Sequence, residues 1–346
     1  MIAGIAVGLE LCMRIGWAGF DSKARSSRFL LRGQDSSSIC GAIAGAAVAA
    51  KLMGLDTKGI ADAIGVAVSF AAGSLESNGS GGTIKRFQSG WAAKSAIQAA
   101  TLAGVGVEGP ALAFEGRYGF YQCFIDGVFD TAVLTDGLCT DWRMQSLRFK
   151  PYPSNYYTHP GIDAALALKR KGLQAQDVGS AHLAVATPML HTVGEPLDRK
   201  QTPRTAYEAK FSAPYTVAAA LLGGTGLGVG IDDFTDDLVA DPMRRALMSK
   251  ISVGSDPRCD AIFRDQAPAV LTVTTRNGER LVQETLVNRG GPEAPLSEQE
   301  VAMKFADTAK RALSSDAIDL LEAHVADIAS AGNIHHIAAI LGSAAG

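Results

Sequence analysis

The 346-residue sequence has little of what marks several functional classes. Its five cysteines, Cys12, Cys40, Cys123, Cys139 and Cys259, are scattered and form no CxxC pair. That spacing argues against a zinc or iron–sulfur site and supplies no disulfide framework, so a reduced cytosol is the expected compartment. The six histidines show no ligand spacing either, so no metal is expected. With 32 basic and 35 acidic residues the net charge is −3, which gives no reason to expect nucleic acid or an anionic membrane as partner. No uncharged apolar run reaches the length of a membrane span. The apolar lead Met1–Leu11 lacks a basic start, and Glu10 and Arg14 interrupt it before any cleavage signature. Met1–Ile15 therefore reads as a buried helix. GGTGLGVG at Gly223–Gly230 follows a helix and misses the dinucleotide spacing, so it reads as a helix C-cap and loop, and no organic cofactor is expected.

What is present is a globular balance. Apolar residues make up 47% and charged residues 19%, enough for a sizeable core in one or two domains. Residues 1–145 are rich in Ala and Gly, with small residues at almost every position of Cys40–Leu55, the mark of closely packed helices. Lys58–Phe70 and Trp91–Leu102 carry apolar faces at helical spacing. Near Trp142 the texture changes. Ala181–Thr187 and Ala269–Thr275 are β-branched runs, and a turn at Asn277–Gly278 gives the second a hairpin partner at Arg280–Val287. Helices are expected at Ile162–Lys171 and Tyr215–Leu222. After Pro295, Ser297 and Glu300 form a capping box for a helix to about Leu313, followed by Ala317–Ala329 and Ile334–Leu341. The expected fold is mainly α with an α+β part: a helical domain of 1–145 plus 292–346, with an α+β domain, 146–291, inserted into it.

The stretch Gly79–Tyr121 is the most informative. A Gly/Ser loop delivers Lys85 and Arg86 just ahead of a small-residue helix expected to start near Gly90. Backbone N–H groups at a helix start favour an anion, and adjacent cations make a carboxylate or phosphate the natural choice. The alternative is a surface loop carrying two solvated cations.

TIKRFQSGWAAKSAIQAATLA, followed by GPALAFEGRYGFYQCF, resembles the MmgE/PrpD family, which includes 2-methylcitrate dehydratase and cis-aconitate decarboxylase. CGAIAGAAVAAKLMGLD, FKPYPSNYYTHPGIDAAL, KQTPRTAYEAKFSAPYTVAAALL and GGPEAPLSEQEVAMKF agree in order and spacing, so the resemblance runs along the whole chain. It implies a helical domain with an inserted α+β lid, an active site between the two parts, a cytoplasmic homodimer and a role in propionate catabolism. It also implies a cofactor-independent hydro-lyase of the 2-methylcitrate dehydratase type, acting on a small di- or tricarboxylate.

Such a reaction removes a proton beside a carboxylate and expels a β-hydroxyl, so the protein must clamp carboxylates and stabilise enolate-like charge. By the resemblance, Lys85, Lys150 and Tyr215 are the catalytic residues, facing one cleft. Arg86, Gln88, Asn155 and Arg204 are the expected substrate contacts. His159, just ahead of a helix, reads as structural or capping.

Three positions depart from the family pattern. Asp35 stands where many members have a histidine, Gln88 where KxxH is frequent, and Asn155 where the decarboxylases place a histidine after KPYPx. Asn cannot transfer a proton at neutral pH, which weighs against a decarboxylase. The first helix opens without a cap, and the family's DFDD segment and its following His-Pro do not occur in this sequence, which points to a chain lacking an upstream part. The expectation is binding of a citrate-like acid with little turnover. A catalytically impaired remnant that binds carboxylate or only oligomerises, and an isomerase, epimerase or decarboxylase of the same family, are the alternatives.

Overall fold

The computed structural model describes residues 1–24, 26–77 and 83–343. Two compact units divide the chain, Met1–Ser146 and Leu147–Gly346. The Gly/Ser loop at 79–82, on which part of the expected anion site rests, lies outside the described residues.

The first unit is built from α1 (Ile2–Ala18), α2 (Ser36–Leu52), α3 (Thr57–Val68) and α4 (Lys85–Gly104). Small side chains set its packing. Ala46 and Ala50 of α2 and Ala96, Ala99 and Ala100 of α4 are buried. A Cβ on Gly45 would lie 2.9 Å from the Ala96 Cβ, so glycine is what lets α2 and α4 approach this closely. Phe29, Phe114, Phe120, Tyr121 and Phe129 form an aromatic cluster beside these helices, and the Tyr121 hydroxyl donates to the Ile15 carbonyl at 3.0 Å.

The two charges that interrupt the apolar lead form a buried pair. The Arg14 Nε lies 2.6 Å from Glu10. The same guanidinium donates to the carbonyls of Val133, Asp136 and Asp141, and Glu10 accepts from the Met144 N–H. Burying two charges is costly unless every donor and acceptor is met, and here the pair anchors the segment that closes the unit.

The second unit holds a four-stranded sheet of β1 (Val178–Val185), β2 (Ile251–Ser255), β3 (Ala269–Thr275) and β4 (Arg280–Thr285), in the order β2-β1-β3-β4. Only β1 and β2 pair in parallel. The β3–β4 hairpin turns at Asn277–Gly278 as expected, with Gly278 at φ +87°. α5 (His159–Arg170) and α6 (Ala213–Leu222) supply Ile162, Leu168 and Val217 to a core shared with Leu183, Leu271 and Val273.

α7 (Glu298–Ala309), α8 (Ser315–Ala326) and α9 (His335–Ser343) end the chain. Ser297 and Glu300 form the expected capping box. By contacts these helices group with the second unit. Ion pairs explain the grouping: Arg289 with Glu300, and Asp232 with both Lys310 and Arg311. Among the described residues, no helix is long and apolar enough to cross a membrane.

Candidate functional site

The helix expected to open near Gly90 begins five residues earlier, at Lys85. Lys85 and Arg86 therefore lie in the first turn of α4 and not in a loop ahead of it. A helical Gly90 contacts nothing where its Cβ would be, so it is a permissive helix position and no start signal. Cations in a first turn oppose the helix dipole. Lys85 is compensated by an ion pair, its Nζ lying 3.0 Å from Asp35. Asp35 in turn caps α2, accepting from the Ser37 N–H at 3.1 Å. The residue that departs from the family pattern thus joins a helix cap to the candidate lysine.

Gln88 comes one turn after Lys85's neighbours and is only 7% exposed. Its amide nitrogen donates to the Ser74 carbonyl at 2.6 Å, and its Oε1 is buried without a partner among the described residues. Ser38 Oγ bridges the carbonyls of Ala72 and Gln88. Above this polar floor is a pocket of about 530 Å³ with walls that include Ile84, Phe87, Trp91 and Lys94. Lys94 stacks over the Trp91 ring at 5.3 Å. The volume falls in the range of small-molecule sites, and apolar walls with a few placed polar groups are the usual composition. Lys85 is beside this pocket in the sequence and is not one of its walls. Arg86 is exposed.

The remaining expected residues lie in the second unit. Lys150 is exposed at the head of the KPYP segment. Asn155 shares that loop and caps the short 3-10 turn Tyr156–Thr158, accepting from the Tyr157 N–H at 3.0 Å. Arg204 faces solvent and pairs with Glu208 at 3.0 Å. Tyr215 is wholly buried in α6. Its hydroxyl donates to the Asp233 carbonyl at 2.5 Å, the Arg244 guanidinium sits over its ring, and burial raises its pKa.

Sequence reasoning missed a second cluster, around the KPYP loop. His159 opens α5 at 1% exposure, with Tyr152 and Tyr156 edge-on to its ring. Burial is the main force that pushes its pKa down to about 3, and Lys150 and Lys304 add to it. The backbones of Ser154 and Tyr152 offset a little of this, yet neither ring nitrogen has a well-directed hydrogen bond among the described residues. On the other side of Tyr152, its hydroxyl donates to Asp163 at 2.6 Å and accepts from Arg289 at 3.0 Å. Burial raises the Asp163 pKa, and its second oxygen has no partner among the described residues. The one available signal was position: Lys304 lies in the GGPEAPLSEQEVAMKF block, one helical turn after Glu300. Among the described residues no three His, Cys, Asp or Glu side chains gather as a metal site.

Comparison with known proteins decides the family. The MmgE/PrpD N-terminal domain matches residues 1–131, and the MmgE/PrpD C-terminal domain matches residues 152–327. The chain belongs to the MmgE/PrpD family. Similar members of the family are cis-aconitate decarboxylase of Homo sapiens, 26% identical over 333 residues (91% of this chain and 65% of that protein), and of Mus musculus, 25% identical over 327 residues (93% and 64%). The cis-aconitate decarboxylase-like protein oryM of Aspergillus oryzae is 24% identical over 353 residues (98% and 70%). The chain thus spans about two thirds of the length of these MmgE/PrpD relatives. The boundary between the two matched domains falls close to the division between the two compact units.

Proposed function

We propose that this MmgE/PrpD chain is a lyase that binds a small di- or tricarboxylate and cleaves a bond β to one of its carboxylates. The observation that carries this reading is the pocket of about 530 Å³ in the first unit, with Lys94 in its wall and Lys85 at the start of the same helix. Carboxylates taken out of water need such cations to offset lost hydration.

The first form of the reading is a dehydratase of the 2-methylcitrate type. A base takes the proton beside a carboxylate, the electron pair delocalises into that carboxylate and then forms the C=C bond, and the β-hydroxyl, protonated by the conjugate acid of that base, leaves as water. The second form is decarboxylation, favoured by the names of the relatives. There the C–C bond breaks, CO₂ leaves, and the electron pair passes to a carbanion held by the same cations until a proton arrives. Lys85 stabilises the developing charge in either form. Tyr215 could donate a proton only by giving up its bond to the Asp233 carbonyl. The same reading includes a cytosolic homodimer that needs no cofactor.

Proton NMR of the purified protein with 2-methylcitrate and with cis-aconitate tests the reading. Conversion of the methyl doublet of the first acid to an allylic methyl singlet, or CO₂ release from the second, supports it and chooses the form. No product from either acid would leave only the alternative of a carboxylate binder without turnover.

A further inference from the structure

α4 carries small residues inside and large apolar ones outside. Ala92, Ser95, Ala96 and Ala99 are buried, and Ala92 and Ala96 lie against Gly41 and Gly45 of α2. On an adjoining side, Ile84, Phe87, Trp91 and Lys94 follow at spacings of three and four residues and so share one face. Ile84, Phe87 and Trp91 are each more than half exposed. Single exposed apolar side chains are ordinary, but three on one face around a concavity have the composition of a binding wall. They border the pocket of about 530 Å³, which Ala72, Gly73 and Ser74 also line.

The charge of this pocket is as specific as its wall. Among the described residues that line it, Lys94 is the one charged side chain. Its ammonium lies over the Trp91 ring at 5.3 Å and has no carboxylate partner among the described residues. Lys85, at the start of the same helix, is already paired with Asp35. One uncommitted cation matches one carboxylate. A compact polyacid would bring further carboxylates that meet no second cation in this lining, and it would leave the apolar wall in water. An acid with an apolar arm suits both features, with its charge at Lys94 and its arm against Phe87 and Trp91. Gly90 lies between those two rings in sequence and lines the pocket, with nothing within 4 Å of where its Cβ would be. The wall therefore has a gap at Gly90 wide enough to take such an arm.

We propose, resting on the carboxylate reading above, that the acid this pocket takes bears an apolar substituent of several carbons. One carboxylate sits on Lys94, and the substituent lies along Phe87, Gly90 and Trp91. Lys94 recognises the charge, and the wall sets the length of arm that is preferred.

Calorimetric titration of citrate, succinate, butylsuccinate and hexylsuccinate into the wild type, Gly90→Leu, Trp91→Ala and Lys94→Ala tests this, with hexan-1-ol as the uncharged control. Wild-type affinity should rise about twofold to fourfold per methylene from succinate to hexylsuccinate. Gly90→Leu meets no neighbour, so the fold is kept while the gap is filled. It should weaken hexylsuccinate about tenfold more than it weakens succinate. Trp91→Ala should flatten the dependence on chain length. Lys94→Ala should weaken the three succinates by a similar factor of about ten and leave that dependence in place. Trp91 and Lys94 are exposed, so neither variant threatens the fold. Wild-type affinity for the succinates that ignores chain length overturns the inference and leaves the carboxylate reading standing. A chain-length gain that survives unchanged in both Gly90→Leu and Trp91→Ala puts the arm elsewhere and overturns it as well. So does hexan-1-ol binding as tightly as hexylsuccinate, which would make the wall an apolar patch with no acid site. A wild type that binds citrate and none of the succinates overturns the inference alone, and one that binds no acid overturns both.

Discussion

Lys85 and Asp35 are ion-paired at 3.0 Å, and the same Asp35 carboxylate caps α2. The candidate lysine is therefore neutralised by a residue that also serves the fold. Lys85 is 42% exposed on its side chain, so the pair is worth little as a source of stability. Its importance is electrostatic: a bound carboxylate has to compete with Asp35 for the ammonium.

Asp35→Asn separates the two roles. Asn still accepts from the Ser37 N–H, so the cap survives and stability should change by less than about 1 kcal/mol. Removing the competing charge should tighten carboxylate binding several-fold. Asp35→Ala loses the cap as well and should cost about 1 kcal/mol more. Chemical denaturation and calorimetry on both variants check this, and weaker binding in Asp35→Asn would show that the pair orients the lysine for its ligand.

Tyr215→Phe removes the donor to the Asp233 carbonyl. The expected loss is about 1–2 kcal/mol of stability, read as a lower denaturation midpoint with an unchanged slope. If Tyr215 also passes a proton to substrate, kcat falls steeply while KM stays. A stability loss with full activity would assign it to the core alone.

His159 makes the fold sensitive to acid. Its folded pKa, about 3, lies below the ordinary value near 6.5, so between those values the unfolded chain binds a proton that the folded chain refuses. Its contribution is fully present above about pH 6.5 and is lost as pH falls toward 3, at up to about 1.4 kcal/mol per pH unit. His159→Gln should flatten this part of the stability curve. A wild-type curve with no slope from this residue would mean the imidazole is accessible to protons.

The capping box at Ser297 and Glu300, the hairpin turn at Asn277–Gly278 and the helical texture of the first half were legible because each is set by neighbours in sequence. The start of α4 was not. Gly90 looked like a helix boundary, yet the helix absorbs it because no packing constraint falls there. β2 was missed because ISVGS is short, carries a glycine and lies at a sheet edge, paired in parallel with a strand some 70 residues away. Lys85 and Lys150 stood out as candidates only through the family pattern. The Asp35 pair, the sealed hydroxyl of Tyr215 and the Lys304–His159 cluster depend on contacts across many residues and leave no local trace.

Arg289→Met tests the network that ties α7 to the KPYP loop. Arg289 reaches Glu300, the Tyr152 hydroxyl and, at 3.9 Å, Asp163. Removing it leaves a buried carboxyl without its cation, at a cost of about 3 kcal/mol. Thermal unfolding should show this, and Asp163→Asn in the same background should recover part of the loss. No recovery would mean that Arg289 acts through Glu300 alone.

Calorimetric titration of cis-aconitate and 2-methylcitrate into the wild type, Lys85→Ala and Lys150→Ala tests the central claim most directly. The account predicts saturable binding of at least one of the two acids by the wild type, weakened about tenfold or more in each variant while the fold is unchanged. Absence of binding for both acids, or equal affinity in all three proteins, would contradict it.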